Sequence, residues 1–572
     1  MIIFRCLVMC VTLSFFSTTQ SVWSQQNIAT SYEAMVTTVR PEATDAALRV
    51  LQRGGNAVDA AITAAFTLAV VDGYNSGIGG GCFILIRTPD GQLLAIDGRE
   101  MAPLAAKADM FLKGGLPIEG ASEVGPLASG VPGAVAAYEM AWRAAGRKPW
   151  SDLLDDAISY AVEGFAIPDK YAERIRSKRS SLTKFAGSRD VLFDSSGEPR
   201  KAGTKLVQLD LGKTLTGIQT QGAKYFYRGP TAMLISRWME QNGGILTIRD
   251  FRRYRSISRV PVTSTYRGYT VVGFPPPSSG GVHVAQMLNI LENYDLANLF
   301  NQNPINFMHL VTEAMKLSFA DRAHWLGDPG YAQVPLGLVS KEYAKDLSSK
   351  ISLQKATTVY SHGTPPLAET ELFDRHTTHI AAVDTEGYWV AITATVNTAF
   401  GSKVIVPGTG VILNNEMDDF SIAPGVPNAF GLIGSEANEV VAFKRPLSSM
   451  SPTIILKDGK PVMTIGAAGG PRIITNALLG AIRVLDLGMS PGEAMAVKRF
   501  HHQWSPDKLY LEPGTKRMIA ESMRKMGHTV VIGGSSGTTQ MIYRDQKTGM
   551  FTGVHDPRVP GKAAGPIVQA GR

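Results

Sequence analysis

Cysteine is scarce in this chain. There are three in 572 residues, and Cys6 and Cys10 both fall in its first stretch. Past that stretch only Cys82 remains, so an intramolecular disulfide framework is excluded there. Long apolar runs are also lacking. The apolar stretch Cys6–Phe16 is too short to cross a bilayer. It follows a short basic start and leads into small polar residues up to Ser24. Residues 1–24 therefore read as a secretory signal peptide, with periplasm or medium as the destination. Internal repeats and low-complexity tracts are missing, which excludes solenoids and arrays. The formal charge is +8, but its densest cluster, Arg174-Ile175-Arg176-Ser177-Lys178-Arg179, has no interleaved aromatics and gives nucleic-acid binding little support.

Familiar motifs fail on inspection. Gly77–Gly81 lacks the full dinucleotide fingerprint and precedes a strand rather than a helix. Gly533-Gly534-Ser535-Ser536-Gly537 matches G-x-S-x-G, but strand patterns flank it on both sides, and a nucleophile elbow needs a strand, a turn and a helix. His501-His502 has no partner at metal-ligand spacing, so no metal and no organic cofactor are expected.

Small residues and glycine are abundant, with 58 glycines. Helical spacing of alanines and aliphatics predicts helices over 41–53 and 56–71, the first stopped by Gly54-Gly55. A glycine loop then leads into an apolar strand from Cys82. The return strand Leu93–Asp97 delivers Arg99. Residues 130–260 read as mostly helical, a helix is expected near His283–Asn293, and 377–572 reads as strand-rich. Residues 345–375 are polar and aperiodic, which predicts a mobile linker. Helices and antiparallel hairpins in blocks suggest an α+β layered fold.

That linker leads to Arg375-His376-Thr377-Thr378-His379. Ile380–Asp384 reads as a strand, Thr385-Glu386-Gly387 as a turn, and Tyr388–Val396 as the return strand. Paired positions sum to about 772, which sets Thr377 opposite Thr395, with Asn397 on the same face. A threonine is a strong nucleophile when its own α-amine is free to act as base. Such an amine has a pKa of about 7.7–8.0, close to the ideal for neutral pH. The expectation is self-cleavage at His376–Thr377. Gly469-Gly470 follows a strand, and its bare backbone N–H groups suit an oxyanion.

Several blocks now coincide. They are Gly54–Ala61, Gly79-Gly80-Gly81, Asp97–Pro103, Pro275–Gly281, Thr377-Thr378-His379, Asn414–Phe420, Arg445–Pro452 and Gly469–Arg472. In order and spacing the chain resembles the γ-glutamyltranspeptidases, members of the N-terminal-nucleophile hydrolases. The resemblance implies a four-layer αββα sandwich and two subunits, 25–376 and 377–572, forming a heterodimer. It implies γ-glutamyl transfer from glutathione or a related amide, through Thr377, to water or an amino acid. Thr395 then hydrogen-bonds the nucleophile, and Gly469 and Gly470 form the oxyanion hole. A γ-glutamyl donor is zwitterionic at its far end. Arg99 suits its carboxylate, Ser448 and Ser449 add hydroxyls, and Asn397, Glu416 and Asp419 can accept from its ammonium. Of the Asp418-Asp419 pair, one is expected to be a solvated turn residue, and Asp419 is the site candidate. The loop Pro424–Gly431 resembles the family's lid, with Phe430 where many members carry tyrosine. The competing readings are an acylase of the same fold, acting on β-lactam side chains or poly-γ-glutamate, and an uncleaved protein that binds γ-glutamyl peptides.

Overall fold

The computed structural model describes residues 27–366, 378–423, 425–534 and 536–566. The expected leader, His376 and Thr377 lie outside these residues, as does Pro424 of the lid loop.

Two seven-stranded sheets form the centre. The first runs through Lys562–Ala564, Ala34–Thr38, His379–Asp384, Trp389–Thr395, Gly81–Arg87, Leu93–Gly98 and Ile257–Arg259. The second runs through Ile28–Ser31, Phe551–His555, Thr538–Arg544, Lys460–Ala468, Thr453–Lys457, Tyr269–Gly273 and Val262–Tyr266. Every neighbouring pair in both is antiparallel.

Strand side chains alternate between faces, and here both faces are dry. Phe83, Leu85, Trp389 and Ala391 of the first sheet pack against Val272, Ile454 and Ile542 of the second. Their neighbours Ile84, Ile86, Val390 and Ile392 face outward into a helical layer that includes Ala57–Val71. On the far side, Ile455, Met463, Ile465 and Met541 pack with residues of helices Ser279–Leu291, Pro304–Trp325 and Arg472–Leu485. The order is helix, sheet, sheet, helix: the αββα sandwich. Double burial explains why these strands are apolar throughout instead of alternating.

Helix Ala57–Val71 is buried at every residue. Alanine on most of its faces allows that close contact, and Asn56 with Asp59 forms a reciprocal capping box at its start. Cys82 is a buried part of the same core.

Two sequence expectations change. The helix expected near His283–Asn293 begins earlier, at Ser279, where Ser278 caps it by accepting from Gly280 N. The expected mobile linker 345–375 is neither featureless nor loose as far as residue 366. Lys341–Ser349 is a helix capped by Ser340, with Tyr343, Ala344 and Leu347 buried on one face. Beyond it the chain is fastened to helix Pro304–Trp325. Lys316 Nζ donates to Thr357 O at 2.8 Å, Asp321 accepts from Gly363 N at 2.7 Å, and Trp325 Nε1 donates to Gly363 O at 3.2 Å. Backbone–side-chain bonds carry no periodic hydrophobic signal, so pattern reading missed them.

Candidate active site

The hairpin that opens the 378–566 portion has the expected register. His379 pairs with Thr393 and Ala381 with Ala391. Thr395 ends the return strand, pairs with Gly81 on its other side, and accepts a hydrogen bond at Oγ1 from Asn397 N at 2.7 Å. The glycine loop before Cys82 has a steric purpose here. A Cβ on Gly80 would run into the carbonyl oxygen of Thr395. Only glycine lets these two backbones meet behind the strand end.

Asn397 has a positive φ of 75°. Its amide donates from Nδ2 to Asn415 O at 2.9 Å, and Asn415 Oδ1 accepts from Thr398 N at 3.0 Å. The residue after Asn415 is Glu416, which opens a short 3-10 turn, Glu416–Asp419. Asn397, Glu416 and Asp419 are thereby joined in one wall.

Arg99 stands on the other side of that wall, fully buried. Its Nη1 lies 2.7 Å from Glu416 and 3.1 Å from Glu100, and its Nη2 lies 2.8 Å from Asp419. Its Nε donates to Pro446 O at 3.4 Å, just ahead of Ser448-Ser449. One guanidinium thus serves three carboxylates. Neither oxygen of Glu416 has a well-aligned hydrogen-bond donor among the described residues. Burial raises Glu416 well above the ordinary carboxylate range; Arg99 opposes this, while Glu100 and Asp419 add to it. Burial likewise pushes Glu100 up to about 7, against the pull of Arg99.

Ser448, and with it the Ser448-Ser449 pair, is held by the loop Pro275–Gly281 through the Ser448 backbone. Ser448 N donates to Pro277 O at 3.1 Å, and Ser279 N donates to Ser448 O at 3.0 Å. Buried Arg322 supports this contact by donating from Nε to Ser279 Oγ at 3.0 Å. Asn438 ties the two halves of the wall together, donating to Asp419 O and accepting from Leu447 N, each at 2.7 Å.

Gly469 and Gly470 follow strand Lys460–Ala468 and precede helix Arg472–Leu485. Their φ values, 129° and 60°, belong to the region that favours glycine. Bare N–H groups at a helix start are suited to negative charge. A Cβ on Gly470 would stand 2.6 Å from Phe430 Cδ1, so the aromatic ring of the lid loop lies directly on this turn. The loop is tied to the acidic wall: Asn428 Nδ2 donates to Asp419 Oδ1 at 3.2 Å, and Ala429 N to Asp418 Oδ2 at 2.9 Å. From the other side, Gln503 Nε2 donates to Phe430 O at 3.2 Å.

One expectation is overturned here. Asp418 is not a solvated turn residue. It is buried and also accepts from Ser122 Oγ at 2.7 Å. Asp419 faces Arg99, while Asp418 anchors the lid loop.

The matches to known proteins agree with this geometry. The family model of gamma-glutamyltranspeptidase matches residues 43–566. The chain belongs to the gamma-glutamyltranspeptidase family. Among relatives, the glutathione hydrolase proenzyme of Escherichia coli is 41% identical over 528 residues, covering 92% of this chain and 90% of that one. That of Bacillus subtilis is 36% identical over 555 residues, covering 93% and 91%. Among solved structures, the cephalosporin acylase from Bacillus halodurans superposes with a TM-score of 0.85 at 27% identity, covering 98% of this chain and all of that one. The Helicobacter pylori gamma-glutamyltranspeptidase gives 0.55 at 41% identity, covering 56% and 91%. As a gamma-glutamyltranspeptidase family member the chain is an enzyme, of the hydrolase and transferase kind, on an N-terminal-nucleophile fold.

The sequence reading missed some residues of the site. Glu100, the third carboxylate on Arg99, is adjacent to it in sequence, and that adjacency was the available signal. Asn428 lies in the loop singled out above but was given no role there, while Asn438, Gln503 and Arg322 come from three separate segments with no local signal. The histidine pair divides: His501 bonds Thr475 and Gln503, and His502 bonds Asp507, each at 3.0 Å. A separate buried group, His309, Glu313 and His528, offers three donor atoms within 4.8 Å. Lys316 Nζ, 2.8 Å from Glu313, already supplies a positive charge there.

Proposed function

We propose that this enzyme is an exported, self-cleaving γ-glutamyltransferase and glutathione hydrolase. Cleavage of the His376–Thr377 bond frees the α-amine of Thr377 and leaves two subunits, 25–376 and 377–572, as a heterodimer. The amine takes the proton of Thr377 Oγ, and the oxygen attacks the γ-carbonyl of glutathione or another γ-glutamyl amide. The resulting oxyanion rests on the N–H groups of Gly469 and Gly470. Collapse expels the amine, which takes the proton back from the Thr377 amine, and leaves a γ-glutamyl ester. Water or an acceptor amine then releases the γ-glutamyl group by the reverse sequence. Thr395 orients the nucleophile. Arg99 with Ser448 and Ser449 takes the α-carboxylate of the donor; Asn397, Glu416 and Asp419 take its ammonium.

The observation that carries this reading is the buried set of one guanidinium and three carboxylates beside the glycine turn. Buried charges of both signs, each costing several kcal/mol to desolvate, suit a small zwitterionic amino-acid head group better than the β-lactam side chains or poly-γ-glutamate of the acylase reading. The acylase reading nevertheless keeps support from the Bacillus halodurans structure. The test has two parts. A denaturing gel with stepwise degradation should give two bands, the lighter beginning TTHIAAV; one uncut, fully active band would remove the mechanism. A γ-glutamyl anilide should be turned over far faster than a cephalosporin side-chain amide; the opposite preference would favour the acylase.

A further inference from the structure

Arg322 is a buried charge that the chemistry above leaves unused. It stands in the last turn of helix Pro304–Trp325. A guanidinium is costly to desolvate, and a buried one is ordinarily kept on a carboxylate. Among the described residues, the hydrogen-bond partners of Arg322 are instead two neutral oxygens. Its Nε donates to Ser279 Oγ at 3.0 Å, and its Nη2 reaches Ser448 O at 3.5 Å. Burial pushes the group down to about 10, against the pull of Asp419, so it stays charged at neutral pH. Arg322 is therefore within electrostatic reach of the acidic wall, yet Asp419 is already engaged by Arg99.

Its two oxygen partners show what the charge is attached to. Ser448 O lies at the start of helix Ser279–Leu291, where it accepts from Ser279 N at 3.0 Å and from Ser279 Oγ. Ser448 N donates to Pro277 O at 3.1 Å, and Ser278 Oγ donates to Met450 O. The approach is close: a Cβ on Gly280 would stand 2.1 Å from Met450 O. The backbone of 448–450 is thus fixed on 277–280, and Arg322 bonds both sides of that contact. Two residues before Ser448, Arg99 Nε donates to Pro446 O at 3.4 Å. The segment Pro446–Ser448 therefore has a guanidinium at each end. Arg99 is shared among three acids, whereas Arg322 rests on neutral oxygens. We infer that Arg322 is a positioning residue for the α-carboxylate of the donor: it fixes the Ser448-Ser449 turn through Ser279 and supplies that turn with a second cation. It thereby sets the preference for donors that carry an α-carboxylate, without touching them. The inference rests on the proposed γ-glutamyl chemistry.

The test reads selectivity for that carboxylate. It is the ratio of kcat/KM for a γ-glutamyl anilide to kcat/KM for a γ-aminobutyryl anilide, which lacks only the α-carboxylate. A merely structural defect would lower both and leave the ratio unmoved. The ratio is measured for the wild type, Arg322→Met, Arg322→Lys and Ser279→Ala. Arg322→Met removes the charge and its bonds. Arg322→Lys keeps the charge and gives up the planar fork. Ser279→Ala keeps the charge and removes the hydroxyl between Arg322 and Ser448. The ratio should fall about 30-fold in Arg322→Met, through KM of the γ-glutamyl donor, and Arg322→Lys should recover part of the loss. A matching fall in Ser279→Ala assigns the effect to the bonded turn; a Ser279→Ala ratio near wild type assigns it to the charge. If Arg322→Met does not convert to two bands, the other two variants decide: a fall in either supports the inference, and a fall in neither overturns it. An unchanged ratio in every variant, including an equal penalty on both anilides, overturns it and leaves Arg322 as a structural tie. A wild type that turns over both anilides equally, or neither, is a different result, since it removes the γ-glutamyl reading itself.

Discussion

Arg99→Lys is the sharpest test of how the donor head is read. Arg99 is wholly buried, and its fork reaches Glu416, Glu100 and Asp419 within 3.1 Å, with Pro446 O beyond. Lysine keeps the charge but concentrates it on one nitrogen, which cannot hold three carboxylates arrayed around a planar fork. At least one charge-assisted contact is lost, worth about 1.5–3 kcal/mol, and an orphaned buried carboxylate adds to the penalty. The expected loss in donor kcat/KM is therefore about 10- to 1000-fold, at about 1.4 kcal/mol per decade, mostly through KM. The assay pairs a γ-glutamyl anilide with a γ-aminobutyryl anilide, which keeps the ammonium but lacks the α-carboxylate. The penalty should be large for the first and small for the second. A gel should show normal conversion to two bands, because Arg99 is assigned to donor binding and not to the cleavage step. An equal penalty on both anilides would refute the carboxylate role and leave Arg99 as a structural cation.

Other outcomes follow from the same geometry. Thr377→Ala should remain one uncut chain without γ-glutamyl turnover; activity from that chain would remove the N-terminal nucleophile. Gly470→Ala should lower kcat about 100-fold, since the left-handed φ of 60° costs an alanine about 1–2 kcal/mol and its Cβ meets Phe430. Adding Phe430→Ala should recover part of that loss, and no recovery would place the defect in the turn alone. Burial pushes the Glu100 carboxyl up to about 7, against the pull of Arg99. Its folded pKa is thus raised, so its contribution to stability is complete below the ordinary glutamate range and is lost as pH rises through about 7. Melting temperature should fall by roughly 2–4 °C across that interval, and Glu100→Gln should flatten the fall; an unchanged slope would show that another group titrates there.

The layered fold and the hairpin register were legible because they rest on local signals. Alternation, turn residues and helical spacing all act within about ten residues, and the pairing of His379 with Thr393 follows from one turn. Arg99 and Gly469-Gly470 were legible as separate candidates for a similar reason, since each follows a readable strand, whereas Asp419 was legible only through the family resemblance of its block. The contacts between them were not. Asn438 joins Asp419 to Leu447 through its side chain, and Arg322 reaches Ser279 from a different helix. Neither residue type nor spacing marks such a role, because long-range hydrogen bonds leave no periodicity. Asp418 shows the limit most clearly. One of the two adjacent acids was expected to face solvent, yet the fold buries both and sets Asp418 on the loop after it and Asp419 on the guanidinium.

On the proposed γ-glutamyl chemistry, the arrangement around Arg99 predicts that a zwitterion binds better than either half of it. Fully ionised, Glu100, Glu416 and Asp419 against one guanidinium leave a formal excess of two negative charges in a dry space. Burial relieves this by favouring the protonated forms of Glu100 and Glu416. An arriving ammonium supplies the missing positive charge to Glu416 and Asp419, and so loosens their hold on Arg99. The fork is then free to take the α-carboxylate of the same molecule. Each half of the donor head thereby makes room for the other. A ligand with the carboxylate alone must compete with three resident acids for Arg99, and one with the ammonium alone leaves the guanidinium without new partners. On this account, removing either group from the donor should cost more than half of the head's total binding energy. Independent, additive recognition of the two groups would instead make the separate losses sum to the whole.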